Sequence, residues 1–368
     1  MKPKPPEPIV PPNIEQLVPY IPGKPIEEVE RELGIAGAYK LASNENPVGP
    51  SPRALEAVRR ALSELHRYPD GSASALRSAL ATRHGVTVDE IVVGNGSAEL
   101  IELLVRTFCA PGSEDEVLTG RPSFAIYELE AQAHGVRHVG VPLDAELRYD
   151  VSGLLAAASA RTKICFIANP NNPTGTYMPA PDLSRLAREL PEHVILAVDE
   201  AYFEYATAPD YPDSLALRGL RERLLGLRTF SKAYGLAGLR VGYMVGPPKL
   251  AQYVQRVRPA FNVNSLAQVA ALAAMRDDDQ VARSRGVTSE GLAFLKRELG
   301  QLGIKVWPTQ ANFVFVDVGR DARAVYQALL QRGVIVRPIG GPHNLRITAG
   351  LPAENERLLR ALKEVLSA

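Results

Sequence analysis

Three stretches decide the fold: KICFIANPNNPTG (163–175), VILAVDEAYFEY (194–205) and LLGLRTFSKAYGLAGLRVGYMVG (224–246). Each opens with a short apolar run and passes abruptly into polar residues. The runs are apolar throughout rather than alternating, the pattern of strands covered on both faces. Further runs of this kind occur at IVV (Ile91–Val93) and EVLT (Glu116–Thr119). Helical segments separate them. RALEAVRRALSEL follows Ser51, a candidate N-cap, with Pro52 in the first turn. AELIELLVRTF is entered from Ser97. Strand and helix in alternation predict an α/β fold with a large, doubly wound, mostly parallel sheet.

Beyond Pro259 the pattern changes. Long helical segments (Asn264–Met275, Val281–Gly300) lead to the short strands NFVFVDV and NLRITAG and a closing helix, ENERLLRALKEVL. This predicts a second, smaller α+β domain, as a length of 368 residues also suggests. The expected layout is a Pro-rich lead-in at 1–13, extended or disordered, then a segment at 14–40 packing with the small domain. The large domain then covers 41–259 and the small domain 260–368.

Composition excludes several classes. Net charge is +1 with both signs mixed along the chain, so no basic arm or membrane-binding face stands out. The two cysteines, Cys109 and Cys165, lie in apolar runs without Cys/His spacing, which favours buried free thiols over a disulfide or a metal site. No apolar run reaches the length of a membrane span, and MKPKPPEPIVPP lacks the apolar core of a signal peptide. A reduced, cytoplasmic protein fits.

Ligands of open α/β sheets gather beyond the carboxyl ends of the strands. Four such ends carry unusual polar residues here: Asp199-Glu200-Ala201-Tyr202, NPNNPTG, Ser231-Lys232 and GNGSAE (94–99). Singly, each has a plain alternative. An Asp at a strand end often serves only as a cap or turn residue, NPNNPTG has the composition of a plain turn, and a lone Ser-Lys is solvated loop in most proteins. GNGSAE resembles a dinucleotide loop but has Glu99 at the third glycine position, and it does not open the first βαβ unit. Their order and spacing are far more specific than any one of them.

Taken together, NPNNPTG, DEAYFEY and TFSKAYGLAGLRVGY resemble the core of the fold-type I aminotransferases. VPYIPGKPIEEVERELG, KLASNENPVGPSP and RYPDGSASALRSALA are similar to the histidinol-phosphate aminotransferases in particular, and NFVFVDV and LRITAG continue the match. The resemblance runs from Pro19 almost to the C-terminus. It implies pyridoxal 5′-phosphate as cofactor, carried by Lys232 as a Schiff base. Asp199 would keep the ring nitrogen protonated, since a neighbouring carboxylate favours the charged form. Tyr202 and Asn172 would hydrogen-bond the ring's phenolic oxygen, and Phe124 would stack on the ring, although plain core packing explains Phe124 equally well. The phosphate would fall to Ser97, the backbone N–H of Ala98, Thr229, Ser231 and Arg240, at a helix start where free amides favour an anion. Arg346, Arg337 and Tyr20 would hold the substrate's anionic group. Tyr68 would reach the cofactor phosphate of a neighbouring subunit, making a homodimer with composite active sites.

Two positions depart from the family pattern: Ala98, where Asp or Asn is common, and Val48, where an aromatic often stands. The expected reaction is amino-group exchange between small molecules, glutamate/2-oxoglutarate and imidazole-acetol phosphate/histidinol phosphate. An aromatic amino-acid aminotransferase is the alternative. A phosphothreonine-type decarboxylase is more remote, and a cofactor-sensing regulator would need a DNA-binding module that is not visible ahead of Pro19.

Overall fold

The computed structural model describes residues 9–367. Its central sheet has seven strands in the order Ile91–Gly94, Gly242–Val245, Leu224–Thr229, Ile195–Asp199, Thr162–Ala168, Glu116–Arg121, Arg137–Pro142. Only Gly242–Val245 runs antiparallel to its neighbours. Apolar clusters cover both faces. One packs Leu100, Leu104 and Tyr127 against Phe166 and Leu227; another packs Leu183 and Leu186 against Ile167 and Leu196. This explains the unalternating strands. Arg137–Pro142 was not foreseen. It is a half-exposed edge strand, and its sequence RHVGVP carries little apolar signal.

The helix over Pro52–Ala61 starts as expected, with Ser51 Oγ accepting from the N–H groups of Arg53 (3.1 Å) and Ala54 (3.4 Å). Both cysteines are buried and free. Met1–Pro8 of the Pro-rich lead-in lie outside the described residues. Within the rest of it, Pro12–Glu15 form a helical turn rather than extended chain. Proline fits the first turn of a helix, and Asn13 Nδ2 docks the turn on the carbonyls of Gln132 and Ala133 (3.1 and 3.0 Å).

A second unit holds a four-stranded antiparallel sheet in the order Arg337–Pro338, Asn344–Thr348, Phe313–Asp317, Lys305–Val306. Helices Asp278–Gln301, Ala322–Leu330 and Pro352–Ser367 pack on it around Leu295, Leu299, Val314, Val316, Leu358 and Leu362. Helix Ile26–Leu33 buries Val29 against Ala38, Leu330 and Ile335, and Tyr39–Lys40 pairs in parallel with Val334–Ile335. The expected boundary at 259/260 does not coincide with a break in packing. Helix Ser265–Ala274 sets Ala267, Ala270, Ala271 and Ala274 into the same core as Ala54, Leu76 and Val93, on the large-sheet side. No helix among the described residues is long and apolar enough to cross a membrane.

Candidate active site

The parallel strands end at a cavity of about 360 Å³ between the two units. Its lining includes Tyr20, Ser97, Ala98, Phe124, Asn172, Asp199, Tyr202, Thr229, Ser231, Lys232, Arg240, Arg337 and Arg346. Thus every residue to which the resemblance gave a cofactor or substrate role meets here except Tyr68. That side chain is 82% exposed and stacks on Phe261 with centroids 4.8 Å apart, away from the cavity of its own chain.

Asp199 ends its strand buried, and it is the only carboxylate that lines the cavity among the described residues. Burial pushes its pKa up to about 6, against the opposing effects of two donors and of Lys232. The donors are Tyr127, whose hydroxyl reaches Oδ2 at 2.9 Å, and the Ala201 N–H, at 3.2 Å from Oδ1. Lys232 Nζ donates to the carbonyls of Ser43 (3.3 Å) and Asn44 (3.2 Å). Burial, then the Arg346 charge, lowers its pKa to about 7. The amine also lies 5.6 Å from the centre of the Tyr202 ring. Burial pushes the Tyr202 phenol up to about 12, so it stays protonated at neutral pH.

At the opposite end, helix Ser97–Phe108 starts after Gly96, whose φ is +82°. A Cβ on Gly96 would lie 2.4 Å from Arg240 Nη2, so the guanidinium rests directly on the helix start. Ser231 Oγ accepts from Arg240 Nη1 (3.4 Å) and Thr229 Oγ1 (3.0 Å). Free backbone N–H groups, hydroxyls and a fork-shaped cation therefore converge, a combination suited to a phosphate. The Glu99 that breaks the dinucleotide pattern accepts from the Asn95 N–H (2.6 Å) and Asn262 Nδ2 (2.5 Å), closing the loop on itself.

NPNNPTG divides its labour. Asn169 binds both backbone groups of Met178, and Asn171 is buried among Ser123, Tyr149 and Thr174. Only Asn172 of the three faces the cavity, with Oδ1 accepting from Arg346 Nη1 at 2.6 Å. Arg346 is 5% exposed, and its other hydrogen bond goes to the Ala42 carbonyl, 2.6 Å from Nη2. Its Nε has no acceptor among the described residues. Arg337 pairs directly opposite Arg346 across the antiparallel strands, so the two side chains share a face. Its Nη2 donates to the Ile21 carbonyl at 2.6 Å, and its guanidinium sits 5.7 Å from the Tyr20 ring centre. Like charges directly opposite each other repel. The pair therefore suits an anion that neither Asn172 nor the carbonyls supply.

Two further participants went unforeseen. Asn44 is buried at φ +55°, and its Nδ2 donates to the Tyr202 hydroxyl at 2.7 Å. Its Oδ1 accepts from Thr348 Oγ1 (3.1 Å), tying the small sheet to the site. The signal lay in SNENP, since Asn is one of the few residues at ease in a left-handed conformation. Tyr127 shows in the sequence only as an aromatic within an apolar helix face.

The chain belongs to the aminotransferase class I and II family, whose model matches residues 37–362. Within it, the chain is 50% identical to a histidinol-phosphate aminotransferase from Anaeromyxobacter sp. (strain Fw109-5), over 98% of this chain and 100% of that one. A histidinol-phosphate aminotransferase from Moorella thermoacetica is 47% identical over 96% of this chain and 92% of its own. The crystal structure of histidinol-phosphate aminotransferase from Sinorhizobium meliloti, in complex with pyridoxal-5′-phosphate, superposes with a TM-score of 0.89. It shares 32% identity, with 98% of each chain covered. The particular group this chain resembles is therefore the histidinol-phosphate aminotransferases.

Proposed function

We propose that this chain is a cytoplasmic, pyridoxal-phosphate-dependent histidinol-phosphate aminotransferase of histidine biosynthesis. It exchanges an amino group between glutamate/2-oxoglutarate and imidazole-acetol phosphate/histidinol phosphate. The carrying observation is the meeting in one cavity of an enclosed amine, a buried carboxylate and a cross-strand arginine pair: Lys232, Asp199, Arg337 and Arg346.

The residues present fit the cofactor. A buried carboxylate that no arginine pairs, an amine brought down to about 7, and the converging donors at Ser97, Thr229, Ser231 and Arg240 match a cationic ring, an aldehyde and a phosphate. When bound, pyridoxal phosphate supplies an electrophilic carbon and an electron-withdrawing ring. Asp199 favours a protonated nitrogen beside it. Tyr202 Oη and Asn172 would hydrogen-bond the ring oxygen, and Phe124 would supply an aromatic wall for the ring. Lys232 Nζ, poised near neutrality, would hold the cofactor's aldehyde carbon, and its amine is the group placed to hold or move a proton there. Arg346 and Arg337 bind the substrate's carboxylate or phosphate through charge-assisted hydrogen bonds. At Ala98 only the backbone N–H would be available to the phosphate.

A homodimer with composite sites completes the proposal. Tyr68 is exposed together with Leu55, Leu62, Leu65 and Phe261, and exposed apolar groups of this kind suit a partner surface. The partner's copy would bring the hydroxyl to the phosphate end. The test is a substrate panel of histidinol phosphate, phenylalanine and tyrosine, each against 2-oxoglutarate. Histidinol phosphate should show the highest kcat/KM by roughly tenfold or more, the equivalent of one good charge-assisted contact. Equal or faster turnover of phenylalanine or tyrosine would replace this assignment with an aromatic amino-acid aminotransferase.

A further inference from the structure

Asn44 is buried in a left-handed turn, and the small sheet grips it at three atoms. Thr348 Oγ1 accepts from the Asn44 N–H at 3.0 Å and donates to Asn44 Oδ1 at 3.1 Å, while Asn312 Nδ2 donates to the Asn44 carbonyl at 3.1 Å. These contacts fix which way the amide lies. A threonine hydroxyl carries one hydrogen, and no described acceptor other than Oδ1 meets it here. The reversed amide would leave that buried hydrogen unmet, which is costly. The amide nitrogen therefore faces Tyr202, and Nδ2 donates to Oη at 2.7 Å. An amide N–H cannot accept, so the phenolic hydrogen points elsewhere. No described residue accepts it, and the Tyr202 ring, held edge-on against Phe313 at 5.3 Å, lines the catalytic cavity.

We propose that Asn44 is a positioning residue, whose amide turns the Tyr202 hydrogen into the catalytic cavity and strengthens it as a donor to the ring oxygen of the bound cofactor. This rests on the pyridoxal-phosphate reading of the site. A hydroxyl that accepts one hydrogen bond is polarised and donates the next more strongly. Burial pushes the Tyr202 phenol up to about 12, so at neutral pH the hydrogen to be directed is present. The same residue reaches the second proton-bearing group, because its carbonyl accepts from Lys232 Nζ at 3.2 Å. Through Asn44, then, Thr348 and Asn312 of the small unit set the geometry of both Tyr202 and Lys232.

The test reads the cofactor's visible absorption against pH in the holoenzyme, without turnover. That absorption follows the proton on the nitrogen joining Lys232 to the cofactor. A donor on the ring oxygen draws negative charge away from that proton and lowers its midpoint. Four proteins would be titrated: the original, Asn44→Gly, Tyr202→Phe and the double variant. Glycine keeps the left-handed backbone, with φ +55° at this position. Asn44→Gly should raise the midpoint by about 0.3–1 pH unit, up to the worth of one neutral hydrogen bond. Tyr202→Phe, which deletes the donor outright, should raise it further. With phenylalanine at 202, adding Asn44→Gly should move the midpoint no more. Asn44→Ala repeats the comparison should glycine loosen the turn; this chain already holds an alanine, Ala73, at φ +46°. Equal shifts with and without the Tyr202 hydroxyl, or no shift in a folded Asn44 variant, overturn the inference and leave the functional reading standing. An original protein that takes up no pyridoxal phosphate, and so shows no visible band, overturns the functional reading and this inference with it.

Discussion

Tyr127→Phe isolates one hydrogen bond. The Tyr127 ring is 1% exposed, parallel to Phe166 at 4.8 Å and edge-on to Phe124 at 5.7 Å. Phenylalanine preserves that packing and deletes only the hydroxyl, which donates to Asp199 Oδ2 at 2.9 Å. The deleted bond favours the ionised carboxylate, so the pKa of Asp199 must rise from about 6. A hydrogen bond to a charged group is worth about 1.5–3 kcal/mol, or roughly one to two pKa units. If turnover requires ionised Asp199, the acidic limb of its pH profile moves to higher pH by that amount. Activity on the alkaline side of the limb should approach the original level. A cation beside Asp199 lowers both limbs, so the displacement between them is the quantity to read. An unchanged limb in a folded variant would refute the role given to Tyr127, and a uniform loss at all pH values would show that the hydroxyl acts otherwise.

Three further outcomes are expected. In the cofactor-free protein, Asp199 is raised above its ordinary 3.8, so the unfolded chain loses this proton first and stability falls as pH rises from about 4 to about 6. Asp199→Asn should remove a penalty of about 3 kcal/mol above that window and little below it, as read by urea unfolding, while slowing turnover by about a hundredfold or more. Arg346→Ala should raise KM for glutamate and for the phosphorylated substrate about tenfold to a hundredfold, the range for a lost charge-assisted contact; damage to one half-reaction alone would assign separate anion sites and promote Arg337. Lys232→Ala mixed with an inactivating Tyr68 variant should regain activity in hybrid dimers, each restored site taking its lysine and its tyrosine from different chains. No recovery would place Tyr68 in its own chain's site.

The sequence revealed what depends on local pattern. Apolar runs that stop at Asp199, Lys232 and NPNNPTG mark strand ends, and strand ends in a parallel sheet mark the site. What escaped depends on meetings between distant segments. Arg137–Pro142 becomes a strand because Glu116–Arg121 offers it an edge, not because RHVGVP is apolar. The helix at Ser265–Ala274 carries the right periodicity, but nothing in it says which sheet its alanines will touch. Asn44 and Tyr127 act through partners 158 and 72 residues away, and no window of sequence contains both ends of either bond. Arg337 and Arg346 could be singled out by resemblance, but only their cross-strand register makes them a pair.

The amine of Lys232 has a further consequence, measured in waiting time. A lysine at the ordinary 10.5 would hold an uncharged amine in only roughly one molecule in three thousand at neutral pH, so nearly every collision with a carbonyl would be wasted. At about 7, roughly half the molecules stand ready at any instant. A neutral amine is then in place when a carbonyl reaches the cavity more than about a thousand times as often as at the ordinary value.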